Sequence, residues 1–96
     1  MATYQILRWQ EIPSVVEARD EKGVKKQQLS QKFQALIDEA AMRRKLAGTD
    51  AYLEQWNKTE PESSTGTAIE VLAQVSQDIE SRFMLIRDEA LKKTYI

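Results

Sequence analysis

The side chains that most often carry chemistry in proteins are scarce in this sequence. It contains no histidine and no cysteine, so it lacks the usual general base near neutral pH, a thiol nucleophile and the commonest metal ligands. The adjacent carboxylates Asp38-Glu39 and Asp88-Glu89 fall in predicted helices, where neighbouring side chains point about 100° apart and do not converge as a catalytic pair must. Ser63-Ser64 has no predicted base beside it, and a serine nucleophile needs one. We therefore expect no enzymatic activity, no cofactor and no metal site.

The charge pattern argues against a nucleic-acid partner. The formal net charge is −1, so no net field attracts a polyanion. The basic clusters Arg43-Arg44-Lys45 and Lys92-Lys93 lie near predicted helix C-termini, where the helix dipole favours cations without any ligand. The apolar runs are far shorter than a membrane span, and the first residues lack the basic start of a signal peptide. We expect neither nucleic acid nor membrane as a partner, and a cytoplasmic location.

Aromatic side chains give the stronger indication of a functional surface. Trp9 and Trp56 lie in predicted strands with polar neighbours, and tryptophan is enriched at recognition surfaces. If the two strands are neighbours, the indoles form one patch; the alternative is that both tryptophans belong to the core. The first interpretation predicts a binding site built from Arg8, Trp9, Asp50, Tyr52 and Trp56.

Three strands and a helix are predicted ahead of the second tryptophan. Thr3–Glu11 is rich in aromatic and branched residues, and Val15–Arg19 and Val24–Gln28 read as a hairpin around a polar, glycine-containing turn. Ser30 is expected to cap a helix through its hydroxyl. That helix runs to Ala47 and ends at a glycine. A single stripe recurs on it at three- and four-residue steps and should face the core: Phe33, Leu36, Ile37, Ala40, Ala41 and Arg44. Asp50–Lys58 has the alternation and aromatic content of a further strand.

The last predicted element is a long helix. Thr67 and Glu70 have the spacing of a capping box, and apolar residues then recur every three or four positions as far as Ala90. Such a helix of about 26 residues is about 39 Å long, whereas a six-residue strand spans only about 20 Å. Its last third should overhang the domain unless the helix kinks or frays. The polar segment Thr59–Gly66 before it is predicted to be a flexible loop.

The overhanging segment is apolar on every side for one turn and continues toward Tyr95 and Ile96. Such a turn needs cover all round. Either the helix end folds against the sheet or frays, or it is a surface for self-association or for a partner. The second interpretation allows a homodimer through the C-terminal helix. Its predicted interface residues are Phe83, Met84, Leu85, Ile86 and Leu91.

Several sequence blocks match a known pattern. They are Tyr4-Gln5-Ile6-Leu7 with Trp9 and Ile12-Pro13, the helical Ala40-Ala41-Met42-Arg43, and above all Gly48-Thr49-Asp50-Ala51-Tyr52-Leu53-Glu54-Gln55-Trp56. In these blocks the chain resembles the virulence factor domain family, a small domain also found in the longer conserved virulence factor C proteins. The resemblance covers about Thr3 to Phe83 and supplies no catalytic residues. Because longer relatives join this domain to helical repeats of a scaffold kind, it implies a role in binding or assembly.

These observations predict an α+β fold in a single domain over 1–96, with a core at 3–83 and a C-terminal helical extension at 84–96. We expect a small antiparallel sheet of three or four strands, with two helices packed on one face and the C-terminal helix long. The predicted function is a non-enzymatic module that docks a larger protein or self-associates. The alternative is an accessory domain that binds a small molecule between sheet and helices through Trp56, Tyr52, Arg8 and Asp50, in a pocket of several hundred cubic ångströms.

Overall fold

Strands and helices follow one another in an α+β fold in the computed structural model, which describes residues 1–92. The strands are β1 Ala2–Trp9, β2 Ile12–Asp20, β3 Gly23–Gln28, β4 Trp56–Lys58 and β5 Glu62–Ser64, and the helices are α1 Gln31–Arg43, α2 Asp50–Glu54, α3 Ala68–Ser81 and α4 Phe83–Lys92. The sheet is antiparallel, in the order β3-β2-β1-β4, and β5 also pairs with β1. The predicted class and antiparallel sheet are confirmed, but residues 1–92 hold four helices rather than two. Tyr95 and Ile96 lie outside the described residues.

The buried side chains form one cluster between the sheet and the helices. Val16 and Ala18 of β2 meet Phe33 and Ile37 of α1 and Val71 of α3 within it. The side chains on the face of the sheet away from the helices, among them Leu7 and Val15, are only half-buried. This is expected of an antiparallel sheet covered on one side. No helix within residues 1–92 combines the length and the apolar character needed to cross a bilayer.

The predicted hairpin is confirmed, and its turn is tied to a distant helix. Asp20 ends β2, and one of its carboxylate oxygens accepts the amide of Lys22 at 2.8 Å within the turn. The other accepts the amide of Ala68 at 2.8 Å, in the first turn of α3. The bond from Ala68, followed by the bond from Lys22, holds the pKa of Asp20 below its usual range. The carboxylate thereby caps α3 from outside the helix.

Asp20→Asn should lower the melting temperature near neutral pH, because an amide keeps only one of two acceptor oxygens and carries no charge. A depressed folded-state pKa means that the carboxylate stabilises the fold above its unfolded pKa of about 3.9. That stability is lost as the pH falls through the folded pKa. The melting temperatures of Asp20→Asn and the native chain should therefore differ clearly at about pH 7 and less at about pH 2.

The exposed Asp88 provides the control, because it forms a surface ion pair with the neighbouring Arg87 at 3.6 Å. Asp88→Asn should leave the pH dependence of the melting temperature almost unchanged. Equal pH dependence of the two variants would contradict the capping role of Asp20.

The start of α1 differs from the prediction in one contact. Ser30 is the N-cap residue, but its hydroxyl caps no amide of its own helix. Instead the hydroxyl donates to one carboxylate oxygen of Glu80 at 2.8 Å, and the Ser30 amide donates to the other at 2.7 Å. The buried stripe of α1 is as predicted, although the helix ends at Arg43 rather than Ala47. The Glu80 side chain thus links the start of α1 to the end of α3.

The capping box of the last helical region is confirmed, but the single long helix is wrong. Thr67 and Glu70 each accept the other's amide. The helix then breaks at Arg82 into α3 and α4. The reason is packing, because α4 folds onto α1 with the Phe83 ring edge-on to Phe33 at 5.0 Å between centroids. As far as Lys92, the expected overhang does not form.

The strand predicted over Asp50–Lys58 is also wrong in its first half. Asp50–Glu54 forms the short helix α2, and only Trp56–Lys58 is a strand. The Thr49 hydroxyl accepts the amide of Tyr52 at 3.3 Å as an N-cap, and Asp50 suits the positive end of the helix dipole.

The loop predicted to be flexible is attached to the sheet. Thr59 donates its amide to the Ile6 carbonyl at 3.0 Å, and its hydroxyl accepts the Ile6 amide at 2.9 Å. Glu62–Ser64 then pairs with β1 as β5. Thr59 and Glu62–Ser64 therefore attach this segment to the sheet.

Candidate functional site

Four of the five predicted binding residues meet at one end of the sheet. Arg8 and Trp9 end β1, and Trp56 lies directly opposite Trp9 on β4. Tyr52, on α2, packs beside them. Asp50 begins α2 and is exposed to solvent. The two tryptophan strands are neighbours, which is the condition on which the predicted patch depends.

The aromatic cluster of Trp9, Tyr52 and Trp56 is part of the core rather than an open patch. The Trp9 and Tyr52 rings lie 5.4 Å apart between centroids, and Tyr52 and Trp56 lie 6.3 Å apart edge to face. The Trp9 indole nitrogen donates to the Tyr52 carbonyl at 2.9 Å. Trp9 is 0% exposed, so the expectation of an exposed Trp9 is wrong. Tyr52 and Trp56 are half-buried.

Arg44 lies against this cluster and was absent from the predicted binding residues. Its guanidinium carbon is 5.8 Å from the centroid of the Trp9 ring, within the range of a cation–π contact. The guanidinium donates to a Glu11 carboxylate oxygen at 2.8 Å, to the Gln10 side-chain oxygen, and to the Ala90 carbonyl at 2.9 Å. Arg44 therefore joins the end of α1, the β1–β2 turn and α4. The sequence signal for it was its place on the buried stripe of α1.

A second polar network holds the same turn from the other side. Arg8 donates to the Asn57 side-chain oxygen at 2.9 Å, and the Asn57 amide group donates to the carbonyls of Gln10 at 3.0 Å and Gln55 at 3.1 Å. Gln10 has a φ of 53°, in the left-handed region that a non-glycine residue adopts only with support. The network supplies that support. Arg8 acts in the fold through these contacts.

Beside the cluster lies an open, mostly apolar pocket between α1 and α2. It has a volume of about 280 Å³ and is lined mainly by Ala41, Met42, Ala47 and Tyr52. Met42 at its rim is 70% exposed. Tyr52 is the predicted binding residue that lines this pocket.

The predicted interface on α4 divides into an inner and an outer face. Phe83 and Ile86 are half-buried against the core, and Leu91 is buried. The expectation that Leu91 lies on the surface is therefore wrong. Met84 and Leu85 are 61% and 66% exposed. These two adjacent side chains form the outer face of α4.

A family model described as virulence factor matches residues 7–92, nearly the whole chain. The chain belongs to the virulence factor family. The match includes the aromatic cluster, Arg44 and the whole of α4, whereas the resemblance read from the sequence ended at about Phe83. No curated protein and no solved structure matches the chain with significance. The pattern that defines the virulence factor family thus extends through the outer face of α4.

Proposed function

We propose that this virulence factor family domain is a non-enzymatic module that binds another protein, or a second copy of itself, through the outer face of α4. The observation that carries the proposal is the exposure of Met84 and Leu85 on a helix whose other face is packed. Phe83 and Ile86 in the same turn face the core, so the exposed pair has no role in packing the domain.

The energetics favour covering this face. Each large apolar side chain moved out of water contributes about 25 cal/mol per Å² of buried apolar area. Charged residues of both signs, Arg87 and Asp88, follow the apolar pair on the same helix and are exposed. An apolar centre with a mixed-charge rim is the usual anatomy of a protein interface.

The chemistry of the domain supports a role without catalysis. The chain has no histidine or cysteine, and the guanidinium of Arg44 and the side chain of Arg8 are occupied by contacts within the fold. The alternative of a small molecule held by Trp56, Tyr52, Arg8 and Asp50 has less support, because Tyr52 and Trp56 pack against each other and Arg8 donates to Asn57.

The double variant Met84→Ser/Leu85→Ser tests self-association. In sedimentation velocity over a range of concentrations, we expect the native chain to dimerise and the folded double variant to remain a monomer, because the variant lacks the apolar centre. Ile69→Ser is the matched control, because Ile69 is 65% exposed on α3. This substitution should leave the proportions of monomer and dimer unchanged. A native chain that stays monomeric would contradict self-association, and a dimer that survives the double substitution would contradict the role of α4.

A further inference from the structure

A second surface lies in a groove between α3 and the β1–β5 corner of the sheet. Its volume is about 430 Å³. Tyr4 and Ile6 of β1 and Glu62 of β5 form its floor, and Val75 and Asp78 of α3 form its wall. No motif predicts this groove, because its β1 residues lie more than fifty positions from those of β5 and α3.

The free edge of the sheet borders this groove. β5 pairs with β1 on one side, and no strand within residues 1–92 pairs with its other side. Such an edge presents backbone donors and acceptors to an incoming strand. The opposite edge strand, β3, carries Lys25 and Lys26, residues that discourage pairing, whereas Glu62–Ser64 has no lysine. The β5 edge is therefore less protected than the β3 edge against pairing with another strand.

The groove combines an apolar centre with three charged side chains, Glu62, Asp78 and Arg82, of which Asp78 and Arg82 pair with each other at 2.6 Å. Ile6 and Val75 are half-buried, and Ile79 below them is buried. Glu62 accepts the Tyr4 hydroxyl at 2.6 Å and has no ion-pair partner within residues 1–92. That hydrogen bond, with burial and the nearby charges of Glu62 and Asp78, raises the pKa of Tyr4. A ligand for this groove should bring an apolar group and a cation.

An extended chain fits the groove better than a helix does. A helix with its side chains is about 10–12 Å across, too wide for a cavity of this volume beside a three-residue strand. In an added strand, alternate side chains point to one face of the sheet. Residues two apart would then reach the apolar centre and Glu62 while the backbone pairs with β5, as in other cases of strand addition.

We propose that this groove binds an extended segment of a partner protein, which pairs with the free edge of β5, places an apolar side chain against Ile6, Val75 and Ile79, and sets a lysine or arginine beside Glu62. This proposal rests on the proposed function in one respect, that the domain binds proteins. Its surface is separate from α4.

The probe is a fluorescein-labelled peptide, acetyl-Thr-Leu-Thr-Lys-Thr-Leu-Thr-amide, followed by fluorescence anisotropy as the full chain is titrated. One matched peptide carries Glu in place of Lys. Another is N-methylated at alternate threonines, which removes backbone N–H donors that would pair with β5. We expect saturable binding of the first peptide. The N-methylated peptide should bind about tenfold more weakly, since it loses backbone hydrogen bonds.

Substitutions in the chain identify the site. Glu62→Gln should weaken binding of the lysine peptide about threefold, the scale of an exposed ion pair. Glu62→Lys should reverse the preference in favour of the glutamate peptide. Glu60→Gln is the control, because Glu60 is exposed and does not line the groove. Circular dichroism of each variant confirms that it is folded.

No saturable binding by the native chain, equal binding of the N-methylated peptide, or equal effects of Glu62→Gln and Glu60→Gln would each overturn the proposal. The Met84→Ser/Leu85→Ser variant should bind the peptide as the native chain does. Loss of groove binding alone therefore leaves the proposed function of α4 intact, and loss of α4 association alone leaves the groove intact.

Discussion

Replacing Trp9 by alanine should lower the free energy of unfolding by about 3–5 kcal/mol, the range for removal of a fully buried tryptophan. Trp9 is 0% exposed, and its ring contacts Tyr52 and Arg44. The substitution also leaves the Tyr52 carbonyl without the donor that reaches it at 2.9 Å. Urea unfolding followed by circular dichroism measures the loss.

Two matched variants separate packing from hydrogen bonding at this position. Trp9→Phe keeps an aromatic ring but removes the indole donor, so the Tyr52 carbonyl keeps only the longer bond from the Gln55 amide at 3.3 Å. We expect a loss of about 1–3 kcal/mol from the lost hydrogen bond and imperfect packing. Trp56→Ala, at the half-buried partner on β4, should cost clearly less than Trp9→Ala. If the two alanine variants were equally stable, Trp9 would not have the central place in the core that its burial indicates.

Arg44→Ala should destabilise the chain by about 2–4 kcal/mol, because it removes one side of a mostly buried ion pair and several hydrogen bonds at once. The Arg44 side chain is only 13% exposed, and Glu11 lies at 2.8 Å from it. The Ala90 carbonyl near the end of α4 also loses its donor. We therefore expect amide hydrogen exchange in α4 to rise as well as global stability to fall.

Arg44→Lys and Arg43→Ala give the comparison for this prediction. Lysine keeps the charge but lacks the planar guanidinium group, which donates to several acceptors at fixed angles. We therefore expect the free energy of unfolding of Arg44→Lys to lie between those of the native chain and Arg44→Ala. Arg43 is exposed, and its ion pair with Glu39 at 3.8 Å is of the i,i+4 type, worth about 0.3–0.5 kcal/mol. Similar losses for Arg43→Ala and Arg44→Ala would show that general charge near the helix end, rather than the bridge made by Arg44, stabilises the fold.

Local signals predicted those parts of the fold that local contacts decide. The hairpin turn, the buried stripe of α1 and the Thr67–Glu70 capping box all depend on residues close in sequence. The short helix α2 was missed because five residues are too few for a helical period, and Asp50–Trp56 also alternates as a strand does. Thr49 followed by Asp50 was the readable signal for it, as an N-cap with an acid in the first turn.

The features that sequence analysis missed depend on distant contacts. No glycine or proline marks the break at Arg82; the packing of Phe83 on Phe33, fifty positions away, decides it. Sequence analysis left open whether Trp9 and Trp56 form an exposed patch or belong to the core, because alternation does not say which face the helices cover. The contact of Tyr4 with Glu62 spans 58 positions and has no local signature.

The most direct test of the central claim, that the outer face of α4 is a protein interface, is photo-crosslinking in cells that naturally produce the protein. A photoreactive phenylalanine derivative replaces the exposed Arg87, next to the Met84–Leu85 pair, and a second chain carries it at the exposed Gln77 of α3. We predict a discrete adduct with a second copy or with one other protein from position 87, lost when Met84→Ser/Leu85→Ser is added, and none from position 77. No adduct from position 87, or one that survives the double substitution, would contradict the account.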